Sequence, residues 1–299
     1  MNIVNAPLVS VIIPTYGRAD MLNKAINSVL TQTYQNIEVV VVNDNQYDSE
    51  HYQLTMQVLK YYMDHPKVKI VADGQNAGGS LARNKGIKAS LGEYISFLDD
   101  DDYYYKNKIS KQINHLISKE IDVSVCGMDV ERKGIIIDKG NINEPRIGNL
   151  NDFLLKGNCY TPMVFLKRDV LTCVGNFTDT PRFQDHILML KILNKNFKVD
   201  ILNENLFVHN DHQSLKISTN KINSYDVRWS IEADMLYSLD QREMNKYNFN
   251  KMSAKAAIYR DNCMRWDACK ILMRNLFNIN SMADVFKWVR SILALLFKI

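Results

Sequence analysis

The first hundred residues alternate four times between a short apolar run and a helix-patterned stretch, and few folds accept that order. Leu8-Val9-Ser10-Val11-Ile12-Ile13, closed by Pro14, reads as a buried strand. Met21–Leu30 follows as a helix, with Leu22, Ala25, Ile26, Val29 and Leu30 on one face and Asp20 placed to cap it. Ile37–Val42 is a second strand, Glu50–Met63 a helix and Val68–Val71 a third strand. The turn Asn76-Ala77-Gly78-Gly79-Ser80 opens a helix to about Ala89, and Glu93–Leu98 is the fourth strand. The strands are continuously apolar rather than alternating, which indicates a parallel sheet covered on both faces. The order therefore predicts a doubly wound α/β sheet. Right-handed crossovers bring the four strand ends to one rim, where open α/β sheets bind ligands.

Each of those ends is polar: Thr15-Tyr16, Asn43-Asp44, Asp73 and the run Asp99-Asp100-Asp101-Asp102. Four successive carboxylates repel and raise one another's pKa unless they share a cation. Asp99 and Asp101 have the spacing to face one divalent ion, and hard oxygen ligands favour Mg²⁺ or Mn²⁺. A solvated acidic turn is the bland alternative. Asn76-Ala77-Gly78 lacks the dinucleotide GxGxxG pattern, so NAD is not argued, although a helix N-terminus favours phosphate. The net charge of +4 carries no basic tract interleaved with aromatics, which argues against nucleic acid. Five cysteines without a CxxC argue against zinc and disulfides and suit a reducing cytosol. The N-terminus shows no signal-peptide pattern, and no apolar run reaches the roughly 18–20 residues of a span.

Beyond residue 103 the pattern loosens. Ile109–Ile117 is a helix, Val123–Cys126 a strand, Ile135–Ile137 a hairpin arm and Met163–Leu166 a strand. Gln184-Asp185-His186 leads into a helix over Ile187–Leu193, with His186 expected on its surface. Phe197–Leu202 and Leu206–Val208 read as two short strands before the polar loop from His209 to Ser214. The text is helical from about Asn220. The expected organisation is an α/β domain over 1–215, with a nucleotide half to about 103 and an acceptor half over 104–215, then a helical region over 216–299.

Taken together, these residues resemble the family 2 glycosyltransferases of GT-A fold. The resemblance rests on Val9–Arg18, on Val42-Asn43-Asp44, on Asn76-Ala77-Gly78 with Ala82-Arg83-Asn84, and on Phe97–Asp102. Val174-Gly175-Asn176-Phe177 followed by Phe183-Gln184-Asp185 resembles the acceptor-side motif. The match covers about residues 8–215, and no family signal is read in the last third. It implies inverting transfer from a nucleoside diphosphate sugar, usually a UDP-sugar, with Mn²⁺ or Mg²⁺. It further implies that Pro14, Thr15 and Tyr16 pack the uracil, Asp44 reads the base, and Asp99 meets the ribose. Asn76, Gly78, Arg18, Arg83 and Asp100 would contact the nucleotide sugar, and Asp101 would bind the metal. Asp185 would be the base that takes the acceptor proton, and His209, or else His212, a third metal ligand. Two positions depart from the family's habit: Asn43 and Gln184 stand where Asp and Glu are usual.

The implied partners are a UDP-sugar and a glycan or lipid-linked glycan acceptor in surface polysaccharide assembly, in the cytoplasm or at the inner membrane face. The tail over 285–299 places Lys287, Arg290, Ser291 and Lys298 on a narrow face, which suits either a membrane interface or a packed terminal or oligomer helix. Two other classes compete. A sugar nucleotidyltransferase wants a Gly-rich loop with Arg and Lys after the first strand, and Pro14–Arg18 has one Gly and no Lys. A non-catalytic nucleotide- or glycan-binding module would not need Asp101 and Asp185.

Overall fold

The computed structural model describes residues 6–137, 143–211 and 222–297. They form two compact units, Met1–Ile147 with Asn158–Lys216, and Gly148–Gly157 with Ile217–Ile299.

The first unit begins with β1 (Val9–Thr15), α1 (Ala19–Leu30), β2 (Ile37–Asn43), α2 (Glu50–Leu59), β3 (Val68–Val71), α3 (Gly79–Ala89) and β4 (Tyr94–Phe97). The strands β3, β2, β1 and β4 lie side by side in that order, all parallel. Val9, Val11, Ile12, Ile13 and Val39–Val41 are fully buried, as strands covered on both faces must be. Asp20 does not cap α1; the helix starts one residue earlier, and Asp20 lies in its first turn, where its charge suits the dipole. Helix α3 rides directly on β1 and β2 because Gly86 has no side chain: a Cβ there would collide with Ile12.

The sheet continues through β5 (Tyr103–Tyr104), α4 (Lys108–Lys119), β6 (Val123–Arg132) and β7 (Ile135–Ile137). After α5 (Leu150–Lys156) come β8 (Val164–Lys167), α6 (Arg168–Val174), α7 (Gln184–Asn194) and β9 (Val199–Asn210). From β4 the order runs β8, β6, β9, β5, with β7 hanging on β6. β8 is antiparallel to both β4 and β6, so the sheet is mixed beyond its nucleotide-side half. The two short strands expected over 197–208 are one strand. Asn203, Glu204 and Asn205 interrupt the apolar text but point to solvent, while register shifts against β6 at Gly127 carry the backbone on. His186, expected on the surface of its helix, is buried.

The second unit is helical: α5, then α8 (Ile222–Ala233), α9 (Gln241–Asp261), α10 (Arg265–Asn275) and α11 (Met282–Phe297). Ala256, Ala268, Leu272 and Leu295 form its core, with Tyr259, Ile271, Trp288 and Ile292 packed around them. Asn149 and Asp240 open α5 and α9 with capping boxes, closed by Asp152 and Glu243. No helix among the described residues is long and apolar enough to cross a membrane.

Candidate active site

The carboxyl ends of β1, β2 and β4 and the start of α3 meet at one rim, and the polar residues after each strand interlock there. Asn45 accepts from Gly17 N at 2.9 Å and donates to Asn43 Oδ1 at 2.8 Å, which fixes the turn after β1 against the end of β2. Asp44 is buried, and its two carboxylate oxygens each accept one backbone N–H, from Ala77 and Gly78, both at 2.9 Å. The carboxylate thus holds the loop that enters α3. Gly78 sits there at φ +85°, a conformation that side chains disfavour. Burial raises the Asp44 carboxyl despite those two bonds. Asn76, on the same loop, is exposed, as is the ring of Tyr16, while Pro14 and Thr15 lie in the last turn of β1.

The four aspartates share three side-chain cations. A tight turn, Asp102 N to Asp99 O at 3.1 Å, points them in different directions. Asp99 pairs with Arg83, whose guanidinium also donates to Gln184 Oε1 at 2.6 Å. Asp100 lies 3.1 Å from Arg18 Nε and accepts from Tyr16 N at 3.2 Å; Asp101 pairs with Arg18 as well. Asp102 binds His209 Nδ1 at 3.0 Å and accepts from Asn210 N at 2.9 Å. Repulsion is therefore offset pair by pair. It is not removed: burial first, against the opposing Arg18 charge, pushes Asp100 up to about 7. Burial also raises Asp102, while His209, although desolvated, is raised by its bond to that carboxylate. The ring of Tyr160 stacks on His209 with centroids 6.4 Å apart.

Oxygens of Asp99, Asp101 and Asp102 lie within 4.8 Å of one another, close enough to be shared by one ion. Hard oxygen donors suit Mg²⁺ or Mn²⁺. The Asp102–His209 pair has the form of a carboxylate orienting a metal-ligating histidine, with Nδ1 engaged and Nε2 as the other ring nitrogen. The residues present fit a divalent ion.

Asp185 approaches from α7. Three side chains of α3 tie that segment to the rim: Ser80 donates to Thr180 O, Asn84 exchanges two hydrogen bonds with the backbone of Phe177, and Arg83 holds Gln184. Phe183 takes φ +64° at the helix entry, turning the chain sharply into Gln184-Asp185. Asp185 Oδ1 accepts from His186 N at 2.8 Å, and burial pushes its carboxyl up to about 6. With Gln184 where the family usually has Glu, that position adds no repelling charge beside the carboxyl. The rise comes chiefly from desolvation, with Arg83 opposing it and Asp99 adding to it.

The structure thus gathers Thr15, Tyr16, Arg18, Asp44, Gly78, Arg83, Asp99, Asp100 and Asp101 at the rim, with His209 joined through Asp102. Sequence reasoning passed over Asp102, and gave Gln184 only a passive part. His212 lies outside the described residues.

The model for glycosyl transferase family 2 matches residues 10–177, more than half of the chain, and the chain belongs to that family. An uncharacterized glycosyltransferase of Rickettsia felis is 35% identical over 259 residues, 81% of this chain and 40% of that protein. The chain spans about two fifths of the length of the R. felis and R. conorii relatives. TuaG of Bacillus subtilis, a glycosyltransferase assigned by name to teichuronic acid biosynthesis, is 27% identical, with 87% of this chain and 97% of TuaG covered. The structure of S. aureus TarS 1-349 in complex with UDP-GlcNAc superposes with a TM-score of 0.67 at 19% identity, over 95% of this chain and 79% of that one. The fold is that of TarS, a GT-A arrangement with a helical C-terminal region.

Proposed function

We propose that this chain transfers a sugar, with inversion, from a UDP-sugar to a hydroxyl of a glycan or lipid-linked glycan, in the assembly of surface polysaccharide at the inner face of the cell membrane. The observation that carries the reading is the rim itself. Carboxylates, two arginines and a histidine converge on one side, and on α7 stands the half-buried Asp185, whose carboxyl is pushed up to about 6 with Arg83 and Asp99 among the causes. UDP-GlcNAc and UDP complexes of TarS, and the teichuronic acid assignment of TuaG, support the substrate class.

In this reading the nucleotide half is about 1–103 and the acceptor half 104–215. Pro14, Thr15 and Tyr16 pack the uracil, where an aromatic ring supplies stacking area. Asp44 meets the base with the lone pairs that Ala77 and Gly78 leave free. Asp99 receives the ribose, and Arg18, Arg83, Asp100 and the Asn76–Gly78 loop bear on the diphosphate. Asp101, with His209 oriented by Asp102, holds Mn²⁺ or Mg²⁺. The ion supplies charge neutralisation for the departing diphosphate. A ligating imidazole must be neutral, so His209 would have to give up the proton that its bond to Asp102 favours in order to hold an ion.

Asp185 takes the acceptor proton. Inversion needs attack from the face opposite the leaving group, so the base stands apart from the aspartate run. A carboxyl near 6 is ionised at neutral pH yet more basic than an ordinary aspartate. The reacting carbon develops oxocarbenium character in such a transfer. A thermal-shift screen of nucleoside diphosphates with and without Mn²⁺ tests the reading. UDP with Mn²⁺ should raise the melting temperature most, and a chain indifferent to every nucleotide would refute it.

A further inference from the structure

Helices α10 and α11 each turn one face to the core of the helical unit and present a second apolar face to solvent. Inward, Trp288 and Ile292 pack beside Leu272 and Leu295, and Trp288 Nε1 donates to Leu272 O at 2.7 Å. The tail is thus a packed helix on that side. Outward, Phe286, Val289, Leu293 and Leu296 are exposed along α11 at a spacing of three, four and three residues, one continuous stripe. Phe286 is 69% exposed. On α10 the face opposite Ala268 and Leu272 carries Trp266 and Met273, exposed by 72 and 52%, and Phe277, 88% exposed, follows in the turn just past the helix. Scattered exposed apolar residues need no explanation, but a continuous stripe along one helix does.

The charges around these stripes are mostly basic, although Asp267 on α10 lies 3.7 Å from Lys270. Lys270, Arg274 and Arg290 are exposed on the same two helices. The one carboxylate of α11, Asp284, is buried and bound to Lys246. The bias is concentrated at the end of the chain: residues 241–299 carry 11 Lys and Arg against 4 Asp and Glu, whereas the residues before them carry 26 against 29. Apolar stripes flanked by cations describe an interfacial helix, whose rings and aliphatics enter the acyl boundary while basic side chains meet anionic headgroups. A second copy of the chain would fit the α11 spacing, but pairing the stripes would set Arg290 near its own symmetry mate with no exposed α11 carboxylate to answer it. Valine, leucine and methionine in the stripes favour acyl chains over the stacked bases of a nucleic acid. At 16 residues α11 is about 24 Å long, too short to span and suited to lying flat.

We infer that the outward faces of α10 and α11 bind the surface of an anionic lipid bilayer. The inference stands on the helical unit alone and does not depend on the donor chemistry, since lipid binding is read without nucleotide.

The full chain should co-sediment with phosphatidylcholine vesicles that contain phosphatidylglycerol, much less with phosphatidylcholine alone, and should be released as salt rises. With roughly a fivefold gain in affinity per basic side chain at such a surface, a K270Q/R274Q/R290Q triple variant should bind on the order of a hundredfold more weakly. F286S/L293S should lose binding too, with an unchanged melting temperature because both side chains are exposed. The inference is overturned if the wild-type chain stays in the supernatant with anionic vesicles at low salt. It is also overturned if F286S/L293S converts a dimer to a monomer by light scattering while vesicle binding is unchanged, which would make the stripe a self-association face. The salt titration of the wild-type chain decides the matter even where a variant fails to fold.

Discussion

The two units bury polar groups in opposite ways. In the helical unit each buried polar side chain is answered. Glu232, with no exposure, takes Arg228 Nε at 2.6 Å and Tyr247 OH at 2.7 Å. Asn275 donates to Phe249 O and Ser253 Oγ, both at 3.0 Å. Among the described residues of that unit no buried side-chain nitrogen or oxygen lacks a hydrogen bond. In the α/β unit Asn43 Nδ2 and Arg83 Nε are buried at the rim without one, and burial raises Asp44, Asp100, Asp102 and Asp185. Leaving buried polar atoms unmade costs about 1–3 kcal/mol each. A fold that satisfies such groups in one unit and leaves them open in the other is keeping the rim for a ligand. The lesson is that an unsatisfied buried group in one place weighs more as a functional sign than a buried charge does by itself.

The largest effect that would break this contrast is at Asp185. Asp185→Asn keeps the shape and removes the proton acceptor, so transfer should fall by about 10²–10⁴-fold with UDP-sugar affinity nearly unchanged. Turnover near that of the wild type would reject Asp185 as the base. Its pH behaviour follows from the same burial. The rate should drop as pH falls through about 6, where the carboxyl becomes protonated. Stability runs the other way: the folded pKa is raised above the usual aspartate value, so this group's contribution is full below about 4 and is lost as pH rises through about 6. Asp185→Asn should flatten both dependences, and a rate profile that keeps its acid limb in the variant would assign that limb elsewhere.

On the helical side, Glu232→Ala strands Arg228 and Tyr247, so unfolding in urea should show a loss of about 3 kcal/mol. UDP binding by the folded fraction should not change, and a variant as stable as the wild type would erase the contrast between the units. The smallest effect is expected at Asp44. Asp44→Asn keeps one acceptor for the Ala77–Gly78 loop and sets an amide N–H₂ against the other donor, which costs about 1–2 kcal/mol. Calorimetry should show UDP affinity about tenfold lower. Equal affinity would reduce Asp44 to a loop anchor.

Much of this was legible in the sequence because local pattern and global fold agree in the first hundred residues. Continuous valines in β2 announce a strand covered on both faces, and the polar residues after each strand fall on the rim as the crossovers require. What was not legible depends on three dimensions. Four successive aspartates look alike on paper, and the turn that sends Asp102 inward to His209 is a tertiary choice. Gln184 in place of Glu removes one repelling neighbour from Asp185, but it says nothing of desolvation, the largest cause of the raised pKa. β9 hid behind three polar residues because their side chains say nothing about where the backbone pairs. The tail read as ambiguous because α11 carries two apolar faces, and only packing shows which is covered.

If the rim is a metal-dependent nucleotide-sugar site as proposed, Asp101 is the residue on which its nucleotide binding most depends. UDP binding should be titrated by calorimetry in Mn²⁺ and in EDTA, on the wild-type chain and on Asp101→Ala, with folding checked by melting. The account predicts binding in Mn²⁺, binding weakened by at least about tenfold in EDTA, and a folded variant that no longer responds to the metal. Equal UDP affinity in Mn²⁺ and EDTA on the wild-type chain would contradict it.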